Sequence, residues 1–370
     1  MVAGVVVQQP QQTVEERVMA SENPFYTPEV HGPYELYALG DFPLDEGGVL
    51  PDLQLAYTTV GTLNEARDNA ILIPTWYSGT HEVMQRVYVG PERVLDPNRY
   101  FIIIVNQIGN GLSSSPHNVD GAHAGPNFPK VRISDDVRAQ ERLVRELFGI
   151  ETLALVVGGS MGAQQVWEWA VRFPEMVRRA APIAGTAQNT PHDFLYTQNL
   201  IDAITHDPGW NSGAYADPSE VVSGLRLHGR FAAVMGWSTE WFKQEHWRRT
   251  GDFATLEDFQ REFTEGYHEP LDPNSLLSMA WKWQRSDVAR NTDGDLQAAL
   301  GRITATVFAM PISEDMFFPP RDVAHEIAMV PHGKLRVIES IDGHMGLMAT
   351  DPGYLPQVEA NLRELLAIER

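Results

Sequence analysis

Short apolar runs and amphipathic stretches alternate along the first half of the chain. Residues 69–75 (NAILIPT) and 100–105 (YFIIIV) are continuous apolar runs, the pattern of strands buried on both faces. Residues 34–44 and 53–60 read as two strands joined by a turn at Gly47-Gly48. Residues 134–148 read as a helix with Ser134 as N-cap and Asp135 and Asp136 in its first turn. Its apolar face is Val137, Leu143, Val144 and Leu147. Residues 153–170 (LALVVGGSMGAQQVWEWA) form a strand, a glycine-rich turn and a helix, and 179–184 a further strand. Such alternation predicts an α/β fold with a mostly parallel sheet and helices on both faces.

The pattern changes after Gly185. Residues 187–300 predict helices over 193–205, 218–237, 240–249, 256–267 and 274–289, and no buried strand. Six of the nine tryptophans fall here, where packing between helices accounts for them better than substrate stacking. A helical insertion between strands acts as a lid. Strand character returns at 305–310 and 334–338, and 354–368 is an amphipathic helix. The expected organisation is a flexible lead-in over 1–25, core over 26–186, lid over 187–300 and the rest of the core over 301–370.

The chemistry centres on the turn in residues 153–170. Gly158-Gly159-Ser160-Met161-Gly162 fits G-x-S-x-G, in which a serine sits on a strained strand-to-helix turn that bulky neighbours would block. Glycine at Gly158 and Gly162 answers that demand, and Gly159 is expected to loosen the turn. Serine is a poor nucleophile at neutral pH and needs a base oriented by an acid. The order Ser, Asp/Glu, His is met by Ser160, Asp315 and His344, the last two just beyond predicted strands. Glu314 and Asp342 are rival acids, and His81, His117, His123 and His192 are rival bases expected at the surface. Gly343 is expected to bring the His344 loop close to the serine. Two backbone N–H groups should stabilise an oxyanion, one from Met161 and one from Tyr77 in the loop after residues 69–75.

Other patterns carry less. Gly109-Asn110-Gly111 opens no helix and is not a dinucleotide fingerprint. His117, Asp120 and His123 lie in a Gly/Pro loop that fixes no common face, so no metal site is expected. Lys+Arg 28 against Asp+Glu 49 gives a net charge of −21, which argues against nucleic acid and anionic membrane surfaces as partners. With no cysteine, disulfides, thiolate metal sites and a Cys nucleophile are excluded. No window resembles a membrane span, and residues 1–18 lack the basic start of a signal peptide, so a cytoplasmic protein is expected.

The chain resembles the homoserine O-acetyltransferase family of α/β-hydrolase-fold proteins. The carriers are Ala56-Tyr57-Thr58-Thr59-Val60-Gly61-Thr62-Leu63-Asn64, Asp136-Val137-Arg138-Ala139-Gln140, the serine pentapeptide with Glu168-Trp169-Ala170, Ser313-Glu314-Asp315-Met316-Phe317-Phe318-Pro319-Pro320 and Gly343-His344. The resemblance implies Ser160 as nucleophile, Asp315 rather than Glu314 as acid, His344 as base, and a lid that often makes a homodimer. It also locates departures. Met345 stands where the family places an Asp for the substrate's amino group. Ile201 stands where it places an Arg for the carboxylate. The loop Thr75-Trp76-Tyr77-Ser78-Gly79 lacks the family's usual His, and Gly109 to Pro116 is closer to its hydrolase-like members.

A pocket without those charges cannot compensate the desolvation of a zwitterion, so homoserine is not expected to bind. Trp76, Met345 and Ile201 are taken as pocket residues. The expected activity is hydrolysis of an ester or thioester through an acyl-enzyme on Ser160, with no cofactor and a small acyl compound as substrate. One alternative is transfer from acetyl-CoA or another acyl-CoA to an alcohol other than homoserine. The other is a non-catalytic binding protein.

Overall fold

The computed structural model describes residues 23–369. Eight strands form one sheet in the order β1-β2-β4-β3-β5-β6-β7-β8. They are β1 (Glu35–Pro43), β2 (Val49–Val60), β3 (Ala70–Pro74), β4 (Phe101–Val105), β5 (Leu155–Gly159), β6 (Arg179–Ile183), β7 (Thr306–Ala309) and β8 (Gly333–Leu335). β2 pairs antiparallel with β1 and with β4, and the remaining pairs are parallel. Parallel pairing needs crossovers, and the crossovers cover both faces. Hence every residue of β3, β4 and β5 is buried.

One face is covered by α1 (His81–Tyr88) and the C-terminal α8 (Tyr354–Ala367), through Met84, Val87, Val358, Leu362 and Leu365. The other is covered by α2 (Ile133–Arg142) and α3 (Met161–Arg172), through Val137, Val166 and Trp169. Between β6 and β7 the chain makes helices, turns and one isolated bridge, Gln188 to Asp287. The long helices of this lid are α4 (Pro191–Thr205), α5 (Val222–Gly236) and α6 (Pro273–Gln284). α7 (Pro320–Ile327) returns the chain to the sheet. No helix among the described residues is long and apolar enough to cross a membrane.

Several local expectations need correction. The N-cap of α2 is Arg132, not Ser134, because the Asp135 carboxylate accepts the Arg132 N–H at 2.8 Å and the Asp45 N–H at 3.0 Å. Ser134 lies inside the first turn and bonds the Asp45 carboxylate. The last turn of the predicted helix is a wider π-type segment, Leu143–Leu147. β8 stops at Leu335, and Ile338 makes a single bridge to Ile312. α1 and α7 are short, polar-rich helices that the apolar pattern did not mark. Residues 1–22 of the expected lead-in lie outside the described residues. From Asn23 the chain is docked: Tyr26 stacks on His117 with ring centroids 4.6 Å apart. A Cβ at Gly111 would come within 2.0 Å of that tyrosine ring.

The lid tryptophans divide. Trp237, Trp241 and Trp247 pack with Phe259 in an aromatic cluster inside the lid. Trp281 faces outward beneath the Arg285 guanidinium, 4.5 Å from the ring centre. Lid and core are tied by ionic groups. Lys282 of α6 is fully buried, and its ammonium bonds the Asp136 carboxylate and the Ile108 carbonyl, the latter at 2.7 Å. The other Asp136 oxygen accepts the Ile108 N–H at 2.8 Å. Burial raises Asp136 to about 6 although Lys282 pulls the other way. At the base of the lid the Glu326 carboxylate accepts the Ala187 and Gln188 N–H groups at 2.8 and 2.9 Å. Its burial raises it to about 8.

Removing one partner of a buried pair strands the other charge. Lys282→Met should therefore lower unfolding free energy by about 3–5 kcal/mol in urea titrations. A loss below about 1 kcal/mol, the size of an exposed pair, would show that the tie contributes little.

Candidate active site

Ser160 follows β5 directly and caps α3 with φ 54° and ψ −126°, a conformation L-residues rarely adopt. The turn closes because its flanking glycines are in contact. A Cβ on Gly158 would lie 2.7 Å from the Gly162 carbonyl carbon, and one on Gly162 would lie 2.5 Å from the Pro74 oxygen. Gly159 does something other than loosen the turn: a Cβ there would strike Leu347 at 2.7 Å. The turn thus projects the Ser160 hydroxyl away from the sheet and toward the lid.

The structure brings Ser160, His344 and Asp315 into one chain of hydrogen bonds. His344 Nε2 lies 2.9 Å from Ser160 Oγ, and His344 Nδ1 lies 2.8 Å from Asp315 Oδ2. The carboxylate can only accept, so Nδ1 carries the proton and Nε2 is left to accept from the serine. Asp315 is fixed through its second oxygen, which accepts the Phe317 and Phe318 N–H groups at 2.8 and 3.1 Å. Glu314 points to solvent. Asp342 is buried but accepts the Thr350 hydroxyl at 2.6 Å rather than meeting His344. His81 and His117 are interior, not at the surface as expected, and bond Asn106 and Ser275 instead of the serine. Gly343 takes φ 61°, and a Cβ there would lie 3.0 and 3.1 Å from the Gly236 and Glu314 carbonyls, so the close approach is to those carbonyls and not to Ser160.

Met161 begins α3 directly after the serine, and Tyr77 lies in the loop after β3. The hydrogen bonds of these turns leave both amides without an acceptor among the described residues. The root of the Tyr77 loop is held rigidly. The Thr75 carbonyl accepts Gln107 Nε2 at 2.8 Å and Gln165 Nε2 at 3.1 Å. Gln165 in turn accepts from Gln140, which accepts from Trp169. The Tyr77 side chain is anchored to the lid, its hydroxyl 3.0 Å from the Leu276 carbonyl and 3.3 Å from His228 Nε2.

Above the serine is a cavity of about 140 Å³, walled by Trp76, Tyr77, Tyr196, Trp237, Trp283, Phe317 and Met345 among others. Phe317 meets the His344 ring edge-on at 4.7 Å. No Asp, Glu, Lys or Arg is in the wall. Trp76 and Met345 are in the wall as expected, but Ile201 is not; its neighbour Leu200 takes that place, because the helix turns Ile201 off the cavity face. No group of three or more potential metal ligands occurs among the described residues.

Sequence reasoning missed His228 and His268, both lining the cavity. A histidine on an apolar helix face carries no signal of its own. Each directs Nδ1 at a backbone carbonyl, Leu200 at 3.1 Å and Thr264 at 2.9 Å, so each Nδ1 bears the proton. Burial lowers His228 to about 3 and His268 to about 4. Both rings are neutral at pH 7.

Residues 88–348 match the family model described as alpha/beta hydrolase fold. The chain belongs to that family. It is 54% identical over 345 residues to an ethyl acetate hydrolase of Pseudomonas veronii, covering 93% of this chain and 99% of the relative. A solved acetylester hydrolase from Corynebacterium glutamicum superposes with TM-score 0.92 at 56% identity, over 94% of this chain and 99% of that one. A homoserine O-acetyltransferase of Thermobifida fusca is 32% identical over 360 residues, 88% of this chain and 91% of the relative. The relatives agree with the resemblance read from the motifs, that of a divergent, hydrolase-like member of the homoserine O-acetyltransferase family of α/β-hydrolase-fold proteins.

The neutral histidines have a consequence for stability. Their folded pKa values lie below the unfolded value of about 6.5, so the unfolded chain binds more protons as pH falls. Their contribution is complete above about pH 6.5 and is lost on acidification toward 4, by about 2 kcal/mol per histidine between pH 7 and 5. Glu326, raised to about 8, acts with opposite sign. The difference between proteins is therefore the clean readout: His228→Asn should lose less stability from pH 7 to 5 than the wild type in urea titrations. Equal losses would contradict the assignment.

Proposed function

We propose that the protein is a serine esterase acting on small uncharged esters, acetate esters among them. The observation that carries this is the hydrogen-bonded chain Ser160–His344–Asp315 opening into a cavity without a charged wall residue. The names of the closely similar relatives support the same substrate class.

Ser160 Oγ attacks the ester carbonyl while its proton passes to His344 Nε2. Asp315 stabilises the imidazolium and holds its orientation. Negative charge on the carbonyl oxygen is met by the Met161 and Tyr77 N–H groups. The intermediate collapses to an acyl-enzyme as His344 returns the proton to the departing alcohol. Water then attacks the acyl-enzyme with His344 again as base, releasing acid and restoring Ser160. Each proton transfer has a side chain assigned to it, so the reaction calls for no metal or cofactor. Met345 in place of a carboxylate, and the apolar surroundings of Leu200, speak against an amino acid as acyl acceptor. We place the enzyme in the cytoplasm, since a chain without cysteine gains nothing from an oxidising compartment.

The test uses ethyl acetate and p-nitrophenyl acetate, with acetyl-CoA plus and minus homoserine in parallel. Ester turnover without acceptor is expected, and Ser160→Ala should lower kcat by at least about a thousandfold. A fluorophosphonate probe should label Ser160 and no other serine. Homoserine-dependent release of CoA, or full turnover by Ser160→Ala, would overturn the proposal.

The lid also favours self-association. Leu227, Phe231 and Val234 form one outward stripe of α5, with Val234 64% exposed. We assign this stripe to a homodimer contact. Val234→Glu should convert a sedimenting dimer to monomer, whereas a wild-type monomer would refute the contact.

A further inference from the structure

The polar groups of the cavity wall are almost all committed to protein partners. Tyr77 Oη donates its single proton to Leu276 O at 3.0 Å and covers His228 Nε2, 3.3 Å away on a ring with no exposed surface. Tyr267 Oη donates to the Ser78 carbonyl at 3.2 Å, and Thr264 Oγ1 to the Gln260 carbonyl at 2.8 Å. The Trp237 and Trp283 indole N–H groups and the Tyr196 hydroxyl have no partner among the described residues, but these atoms are buried beneath the wall's surface. Ser160 and His344 are occupied with each other.

One group remains. His268 Nε2 has no partner among the described residues, yet it is not among the sealed atoms, unlike Nε2 of His31 and His81. The ring lies in the cavity wall and keeps 7% of its surface exposed. Its Nδ1 must carry the proton, because the Thr264 carbonyl it faces can only accept. Nε2 is then a bare lone pair. Burial, which lowers this ring to about 4, keeps it so at neutral pH. His268 Nε2 is thus an acceptor in the apolar wall that is open to the cavity and has no protein donor, and it is distinct from the reacting atoms.

From this we infer that His268 Nε2 accepts a hydrogen bond from a free hydroxyl of the substrate, and that the enzyme's preferred substrates are neutral short-chain esters bearing such a hydroxyl. Monoesters of small diols and small hydroxy-acid esters share that chemistry. The inference rests on the esterase reading of Ser160 and adds to it a specificity-determining residue. A carboxylate or ammonium in the same place would meet a neutral ring and no counter-charge, and would be rejected. A methyl group in place of the hydroxyl would strand the acceptor, which is the stronger kind of discrimination.

Isosteric pairs test this directly. On the alcohol side, 2-hydroxyethyl acetate is compared with propyl acetate; on the acyl side, methyl 3-hydroxypropionate with methyl butyrate. The quantity read is the ratio of kcat/KM, hydroxy-ester over isostere, for wild type and His268→Leu. In at least one pair the wild-type ratio should favour the hydroxy-ester by about tenfold, and His268→Leu should bring it close to one. The pair that responds identifies which side of the ester faces His268. His268→Gln keeps an acceptor oxygen and should retain part of the preference, which also covers misfolding of the leucine variant. Ratios near one for wild type in both pairs, or a preference unchanged in His268→Leu, would overturn the inference while leaving the esterase reading in place. Wild-type failure on all four esters would remove both.

Discussion

Everything at the centre of this molecule depends on one strained turn. The backbone at Ser160 sits where an L-residue is disfavoured by roughly 1–3 kcal/mol, and only a surrounding that over-determines it can keep it there. β5 enters from the middle of the sheet, α3 leaves at once, and the contacts of Gly158 with Gly162 and of Gly162 with Pro74 leave the turn no slack. The Pro74 contact also joins the turn to the end of β3. Since the next carbonyl, Thr75, is held by two glutamine amides, the Ser160 turn and the Tyr77 loop form one block. His344 and Asp315 reach that block from separate loops, His344 bonding Ser160 and Asp315 bonding His344.

Much of this was legible in the residues, for reasons that differ from part to part. The sheet could be read because βαβ crossovers bury its central strands on both faces, leaving runs such as FIIIV with few alternative readings. Ser160, Asp315 and His344 could be read because chain order and strand ends are written in the sequence. The motif Asp136-Val137-Arg138-Ala139-Gln140 was visible, but its work was not. Asp136 clamps Ile108 and Lys282, and Gln140 supports Gln165; both depend on residues far along the chain.

What stayed hidden is most of the lid's share of the cavity wall. His228, His268 and Tyr196 lie on lid helices whose rotation about their own axes is set by neighbours, and a one-residue error replaces Leu200 with Ile201. The N-cap of α2 was misplaced for a related reason. Asp135 caps from inside the helix by bonding back to Arg132, so the residue with the better capping side chain, Ser134, is not the cap. Composition offered exclusions and no positive identification: the net charge of −21 surrounds a cavity that contains none of it.

The buried ammonium of Lys282 has a consequence for how molecules enter and leave. Lifting the lid as a rigid body would pull a charged pair apart in a medium that solvates neither member, a motion opposed by several kcal/mol. Glu326 at the lid base and Tyr26 packed beneath its far end oppose the same motion. A lid held at these points admits and releases molecules by movements smaller than its lifting as a whole.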